Sequence, residues 1–362
     1  MDYSILEYVK WRGDICLDCD KFNEIDALVL NMVHFLDFHK EMEKQPSYDL
    51  SDLIDNHFLD KDFDKINLGL IIPNEVISLA HEVSKSHRYQ DLRVVDYVNV
   101  IDYHLAEQFS AMTYLLPNKR IYISFRGTDD TLVGWGEDIN MIASFPIPAQ
   151  VDACEYLNKR AEEFPDCKII IGGHSKGANL ALYSSIYCND SFKERIKRIY
   201  AFDGPGFDMK KIDYNRFSLV KDRIFRLVPT CSIVGRMFEL DVEPYITKSH
   251  ERGLNQHDPF SWYIEKNQFL KRSHFTKDSD NIKRQLDRLL YSLNEEEKMH
   301  FAEDINRYIY TLEQNHLLEF VHPKSLISLF TNKHKMKHKN IHLLLKLYLI
   351  MSKNNAIKLK LK

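Results

Sequence analysis

Ser175 stands between Gly173 and Gly177 in Ile169-Ile-Ile-Gly-Gly-His-Ser-Lys-Gly-Ala178, a Gly-x-Ser-x-Gly sequence. With 12 glycines in the chain, chance supplies roughly 0.03 such matches. The apolar run before it and the pattern ANLALYSSIY after it predict a strand, a sharp turn and a helix. A turn of that kind lifts a serine hydroxyl clear of a sheet edge and tolerates little beyond glycine on either side. The sequence GxxxxGK[ST], which would cradle phosphates instead, does not occur. A serine hydroxyl is a weak nucleophile at neutral pH. It needs a base, a carboxylate to orient that base, and donors for the oxyanion.

In hydrolases built on such a turn the chain order is Ser, acid, His. His257 lies in Gly253-Leu-Asn-Gln-His-Asp-Pro-Phe-Ser-Trp262, a turn-rich loop after the strand-like Pro244–Ser249, and is the expected base. His250, near the end of that strand, is the alternative. His174 adjoins the serine, but its side chain is expected to turn away and pack. For the acid, Asp203 follows the strand Ile199–Phe202 and opens Asp-Gly-Pro-Gly-Phe207, on the sheet edge where the turn must also lie. Asp241 and Glu243 are closer to His257 in sequence and stay open, as does a bare turn-capping role for Asp203.

The elements that must position these residues are legible in outline. The first ninety residues read as helical, with starts at Asn23-Glu24 and Asn74-Glu75. From residue 93 the character changes to short β-branched and aromatic runs: 93–100, 109–115 and 120–125. Helices and strands then alternate: 149–164, 168–171, 178–187, 198–202 and 223–228. That alternation predicts an α/β sheet with parallel central strands. From about 281 the pattern is helical again. The division expected is residues 1–280 as the catalytic domain, with a helical segment over about 1–90, and 281–362 as a helical C-terminal appendage.

Composition narrows the function. The chain is 44% hydrophobic and 28% charged with a formal net charge of −4, an ordinary globular balance. Residues 332–362 hold nine lysines and no acid, so the rest is markedly acidic, which argues against nucleic acid as a partner. The start MDYSILEYVKWRGD lacks a signal-peptide pattern, and LLLKLYLIM is too short to span a bilayer, so the expected location is the cytoplasm. The six cysteines, including Cys16 and Cys19 in a CxxC, are expected as reduced thiols. In the tail, His334, His338 and His342 recur every four residues. Leu343, Leu344, Leu347 and Ile350 accompany Lys335, Lys339 and Lys346 in a basic amphipathic helix. That helix either caps the appendage or makes weak contact with an anionic membrane surface.

Ser124-Phe-Arg-Gly-Thr-Asp-Asp130 followed by Trp135-Gly-Glu-Asp138 resembles the FRGT…W..D segment of class 3 lipases. Gly172-Gly-His-Ser-Lys-Gly177 resembles their GHSLG turn, with Lys176 in place of leucine. A closer resemblance is to a bacterial branch of lipase-like proteins sharing Trp11-Arg-Gly-Asp14, FRGTDDTLVGW, GHSKG, FDGPGF and QHDPFSW, over about residues 5 to 320. The resemblance implies an α/β-hydrolase fold, a mainly parallel sheet flanked by helices with helical extensions at both ends. It places Thr128 in the oxyanion loop, offering its N–H and its hydroxyl, with the N–H of Lys176 as the second donor. Class 3 lipases usually carry their acid before a Val-Pro pair on a later strand, where Arg226-Leu-Val-Pro229 here has no carboxylate. Pancreatic-type lipases carry it one strand earlier, in a segment similar to 203–207, which favours Asp203. Arg126 and Asp138 are expected to form a structural ion pair. The expected function is hydrolysis of a small-molecule or lipid carboxylic ester, with no metal or organic cofactor. The competing expectations are a hydrolase fold retained as a binding scaffold, and acyl transfer to an acceptor other than water.

Overall fold

Lys168–His174 forms strand β5, and its isoleucines explain where it sits. Ile170 belongs to an apolar cluster on one face of the sheet, Ile169 and Ile171 to a second cluster on the other. A strand apolar on both sides is stable only when helices cover both faces. In the computed structural model of the chain, the described residues are 4–309 except 63–65, 67, 70 and 71, together with 339, 340, 342, 343 and 346.

Helices α1 (Ile5–Arg12), α2 (Glu24–Val33), α3 (His39–Met42), α4 (Leu50–Phe58) and α5 (Glu75–Lys85) come first, interrupted by the two-residue strand β1 (Tyr48–Asp49). The sheet continues with β2 (Arg93–Asp102), β3 (Glu107–Leu116) and β4 (Arg120–Phe125). Then α6 (Leu132–Ala143) and α7 (Pro148–Glu163) lead to β5, and α8 (Lys176–Tyr187) and α9 (Asp190–Lys193) lead to β6 (Ile196–Phe202). The short α10 (Tyr214–Ser218) precedes β7 (Ile224–Pro229) and β8 (Tyr245–Thr247). A small hairpin, β9 (Ile264–Glu265) and β10 (Gln268–Phe269), precedes α11 (Lys277–Tyr291) and α12 (Glu295–Ile309).

Spatial order in the eight-stranded sheet follows chain order, β1 to β8. Pairing is antiparallel from β1 to β4 and parallel from β4 to β8. This is the α/β-hydrolase fold. One face is covered by the N-terminal helices, through residues such as Leu28, Leu53 and Val76 packed with Tyr122 and Tyr200. The other is covered by α7 and α8, where Leu157 and Leu180 meet Ile121, Ile123 and Ile171. Because β4, β5, β6 and β7 run parallel, their C-terminal ends share one edge. The antiparallel β3 begins at that same edge, with Ala111 opposite Phe125. Loops carrying Thr128, Ser175 and Asp203 therefore leave the sheet side by side.

The local signals account for several boundaries. Asn23 caps α2 by accepting from the Ile25 and Asp26 N–H groups, while the Asp26 carboxylate accepts from the Asn23 N–H, a reciprocal capping box. Strand β4 occupies the predicted 120–125. Helix α6, over Leu132–Ala143, lies where the sequence offered a motif and no clear periodicity; Thr131 caps it through the Gly134 N–H. In the tail, Asn340 and Leu343 are buried while Lys339, His342 and Lys346 are exposed, and Asn340 donates to the Asp304 carboxylate and the His300 carbonyl. His334, His338, Leu344, Leu347, Ile350 and Lys335 lie outside the described residues. Among the described residues, no helix is long and apolar enough to cross a membrane.

Candidate active site

Strand β5 ends at His174 and α8 starts at Lys176, which leaves Ser175 alone in the turn with φ 59° and ψ −130°. A side-chain-bearing residue seldom adopts that backbone, and it persists only where its surroundings enforce it. Here the Ser175 N–H donates to the Phe202 carbonyl at 3.0 Å, and its own carbonyl accepts from the Ala178 N–H at 3.0 Å. Glycine is required on both sides. A Cβ on Gly173 would lie 2.2 Å from the Gly177 carbonyl, and one on Gly177 would lie 2.1 Å from the Phe125 carbonyl oxygen. The helix is therefore laid directly on β4 and β5, backbone against backbone.

Asp203 follows β6 with φ 44°, left-handed like Ser175. It is fully buried, and both carboxylate oxygens are engaged. Oδ2 accepts from His257 Nδ1 at 2.7 Å, and Oδ1 accepts from the Ser232 hydroxyl at 2.5 Å. Ser232 is itself held by the Gly235 N–H, which donates to its Oγ, and Gly235 is a glycine because a Cβ would sit 2.2 Å from Asp203 Oδ1. The structure thus brings Asp203 and His257 together. The alternatives are elsewhere: Asp241 binds the Tyr214 hydroxyl and Lys221 at the surface, Glu243 is exposed, and His250 is exposed with its ring edge against Tyr263.

His257 sits on a short 3-10 turn, Gly253–His257. Its Nδ1 is committed to Asp203, so Nε2 is the nitrogen left for a serine hydroxyl. Among the described residues its hydrogen bonds go to Asp203 and, through its carbonyl, to His174; neither reaches Ser175. His174 packs as expected, but against His257 itself. Its ring centroid lies 4.5 Å from that of His257, and its Nε2 donates to the His257 carbonyl at 2.9 Å. A carbonyl only accepts, so Nε2 carries the hydrogen. Burial, then the neighbouring His257, holds the His174 pKa well below the ordinary imidazole value. Gln256 ties the loop down: its side-chain oxygen accepts from the Cys231 N–H and its carbonyl from the buried Trp262 indole. Ser232 had no signal in the sequence, since a lone serine in a loop looks like any other, and Gln256 was marked only as the first residue of QHDPFSW.

Thr128 lies beside the turn, for a Cβ on neighbouring Gly127 would be 3.2 Å from Ser175 Cβ. Its hydroxyl donates to Asp138 Oδ2 at 2.7 Å, so of the two groups expected to serve an oxyanion the hydroxyl is committed to that carboxylate. Lys176 opens α8, where backbone N–H groups have no partner within the helix and carry the positive end of its dipole. The expected Arg126–Asp138 ion pair does not form. Arg126 instead reaches Asn99 and Asp129, because Asp138 lies on α6 under Thr128. Burial pushes the Asp138 pKa up to about 6, against the opposing pull of Lys176 and of the Thr128 hydrogen bond. Arg226, which stands two residues before Val228-Pro229, donates to the Gly235, Leu240 and Val242 carbonyls; burial lowers its pKa to about 10.

The Lys176 ammonium is buried in a group the sequence analysis did not anticipate. It donates to Glu137 Oε2 at 2.7 Å, the Gln108 carbonyl at 2.8 Å and Gln108 Oε1 at 2.7 Å. The lysine in place of leucine was the one available sign that an acid must lie nearby. Away from this edge, all six cysteines are free thiols, with the Cys16 and Cys19 sulfurs 3.3 Å apart. Among the described residues, no three His, Cys, Asp or Glu side chains are arranged to hold a metal ion.

The profile of the Mbeg1-like family matches residues 83–307. Among curated protein sequences none matches the chain. Among solved structures, the Rhizomucor miehei lipase in its propeptide complex is 18% identical over 46% of this chain and 59% of that one, with a TM-score of 0.33. The chain thus spans about three fifths of that lipase. The Yarrowia lipolytica Lip2 lipase is 14% identical over 51% of this chain and 72% of that one, with a TM-score of 0.32. The M37 lipase is 13% identical over 88% and 97%, with a TM-score of 0.42.

Proposed function

The chain belongs to the Mbeg1-like family, and from that premise we propose that it is a serine hydrolase acting on carboxylic esters. The observation that carries this reading is the strained turn at Ser175 beside a His257–Asp203 pair bonded at 2.7 Å. Ser175 Oγ attacks the ester carbonyl while His257 Nε2 takes its proton. Asp203 fixes the tautomer and favours the imidazolium that forms. The N–H groups of Lys176 and Thr128 receive the oxyanion, each worth about 3 kcal/mol on the transition state. The imidazolium then protonates the leaving alcohol, and water, activated by the same imidazole, releases the acid from the acyl-enzyme. The substrate in this proposal is a small-molecule or lipid ester.

A fluorophosphonate probe tests it. The expected outcome is covalent labelling of wild type and turnover of p-nitrophenyl esters, both lost in Ser175→Ala. Thermal stability should stay within about 1 kcal/mol. Labelling that persists in Ser175→Ala overturns the nucleophile. An unlabelled, inactive wild type overturns the enzyme reading. Product analysis with a competing alcohol then separates hydrolysis from acyl transfer.

A further inference from the structure

The two candidate oxyanion donors belong to different elements. The Lys176 N–H is on α8, and the Thr128 N–H is on the loop between β4 and α6. Their separation decides whether both reach one oxygen, and a shift of about 1 Å in such a pair costs on the order of 10²-fold in rate. Lys176 is fastened on both sides of that gap. Its backbone starts α8, and its side chain, 1% exposed, crosses to α6 and to the start of β3. All three ammonium hydrogens are used, on Glu137 and twice on Gln108. The ammonium is therefore available neither as a base nor as an anchor for a substrate anion.

Glu137 is equally committed. Its Oε2 also accepts from the Gln108 N–H at 3.2 Å, and its Oε1 accepts from the Ala149 N–H at 3.0 Å, at the start of α7. The next residue on α6, Asp138, holds the Thr128 hydroxyl. The first turn of α6 touches both groups, since a Cβ on Gly134 would meet Thr128 Cγ2 at 3.0 Å and Gln108 Oε1 at 3.1 Å. A buried ion pair usually adds no stability over an apolar pair of the same volume. What it adds here is fixed geometry, because short charged hydrogen bonds tolerate little displacement.

We propose that Lys176, through its buried contacts with Glu137 and Gln108, is a positioning residue that sets the spacing of the Thr128 and Lys176 N–H groups. The proposal rests on the hydrolase reading of the site. It is tested on the full-length protein with Lys176→Met/Glu137→Leu, which replaces the pair by apolar side chains. Glu137→Gln, which keeps the size but removes the charge and turns one of the two accepting oxygens into a donor, gives the same comparison if the double variant does not fold. The readouts are kcat and KM on a p-nitrophenyl ester, and affinity for an alkyl boronic acid whose tetrahedral adduct places an oxygen in the oxyanion hole. The expected result is a folded variant with KM within about two-fold of wild type. Its kcat should fall on the order of 10- to 100-fold, with boronate affinity falling by the same factor. Folded variants that keep wild-type kcat and boronate affinity overturn the proposal while leaving the hydrolase reading intact. A wild type that is neither labelled at Ser175 nor active overturns both.

Discussion

Asp203 shows how much one side chain asks of its surroundings. Two hydrogen bonds and a left-handed backbone hold its carboxylate under His257. Asp203→Asn keeps the shape, but the amide presents an N–H to Nδ1 and imposes the wrong tautomer. A loss in kcat on the order of 10⁴ is expected, by analogy with other triads, while Asp241→Asn should leave turnover unchanged. Asp138 makes a different prediction. Burial raises its pKa to about 6, so between its ordinary value of 3.8 and that point the folded protein holds a proton that the unfolded chain has released. Stability contributed by this group therefore falls as pH rises from about 4 to about 6, then levels off. Asp138→Asn should gain in melting temperature over wild type as pH rises through that window, and keep the gain at pH 7. A melting-temperature difference that does not change with pH would contradict the assignment.

At the level of elements, the site depends on how closely α8 is laid against the sheet. The Gly177 Cα faces the Phe125 carbonyl at a distance that admits no methyl group. Neither atom sits on a rotatable side chain, so the clash in Gly177→Ala must be relieved by moving the helix or β4. A loss of about 3 kcal/mol is expected from chemical denaturation, together with lost probe labelling, because the same movement displaces Ser175. A substitution with unchanged stability would mean that α8 stands further from β4 than described. The His257 loop is held less directly, by Gln256 and Trp262 from outside the strands and by one contact to the sheet, the ring of His174 at the end of β5.

The whole molecule is joined on its N-terminal side by a buried charge. Arg88, just after α5, is paired with Asp26 on α2 through contacts of 2.7 and 2.6 Å; the Tyr89 and Tyr8 hydroxyls add to the same carboxylate. The guanidinium also donates to the Ile15, Asp20 and Lys21 carbonyls, so the loop joining α1 to α2 closes around it. Arg88→Met would strand the Asp26 carboxylate in a dry interior. A loss of about 3–5 kcal/mol is expected in urea unfolding. The helices held this way cover one whole face of the sheet, so the melting transition should remain single. At the other end, α11 reaches the site through Ser279, whose hydroxyl donates to the Ser232 carbonyl beneath Asp203.

The sequence by itself determined what depends on neighbours in the chain. Strand and helix periodicity, the Asn23 cap and the glycines flanking Ser175 are local, because backbone geometry at those points answers to a few adjacent residues. They were enough to indicate an α/β sheet with parallel central strands and to single out Ser175, while the hydrolase fold was implied by the resemblance of the motifs to lipases. Long-range pairings were not legible. The sequence favoured Asp203 but kept Asp241 and Glu243 as alternatives, because distance along the chain says nothing about which strand ends meet. Only the parallel order of β4 to β7 sets the 203 loop beside the 175 turn. The same holds for Arg126, whose partner proved to be Asp129 rather than Asp138, and for Lys176, whose buried ammonium needed an acid from a helix almost forty residues away. A charge taken out of water must find its counterpart wherever the fold has put it, and that place is a property of the packed molecule.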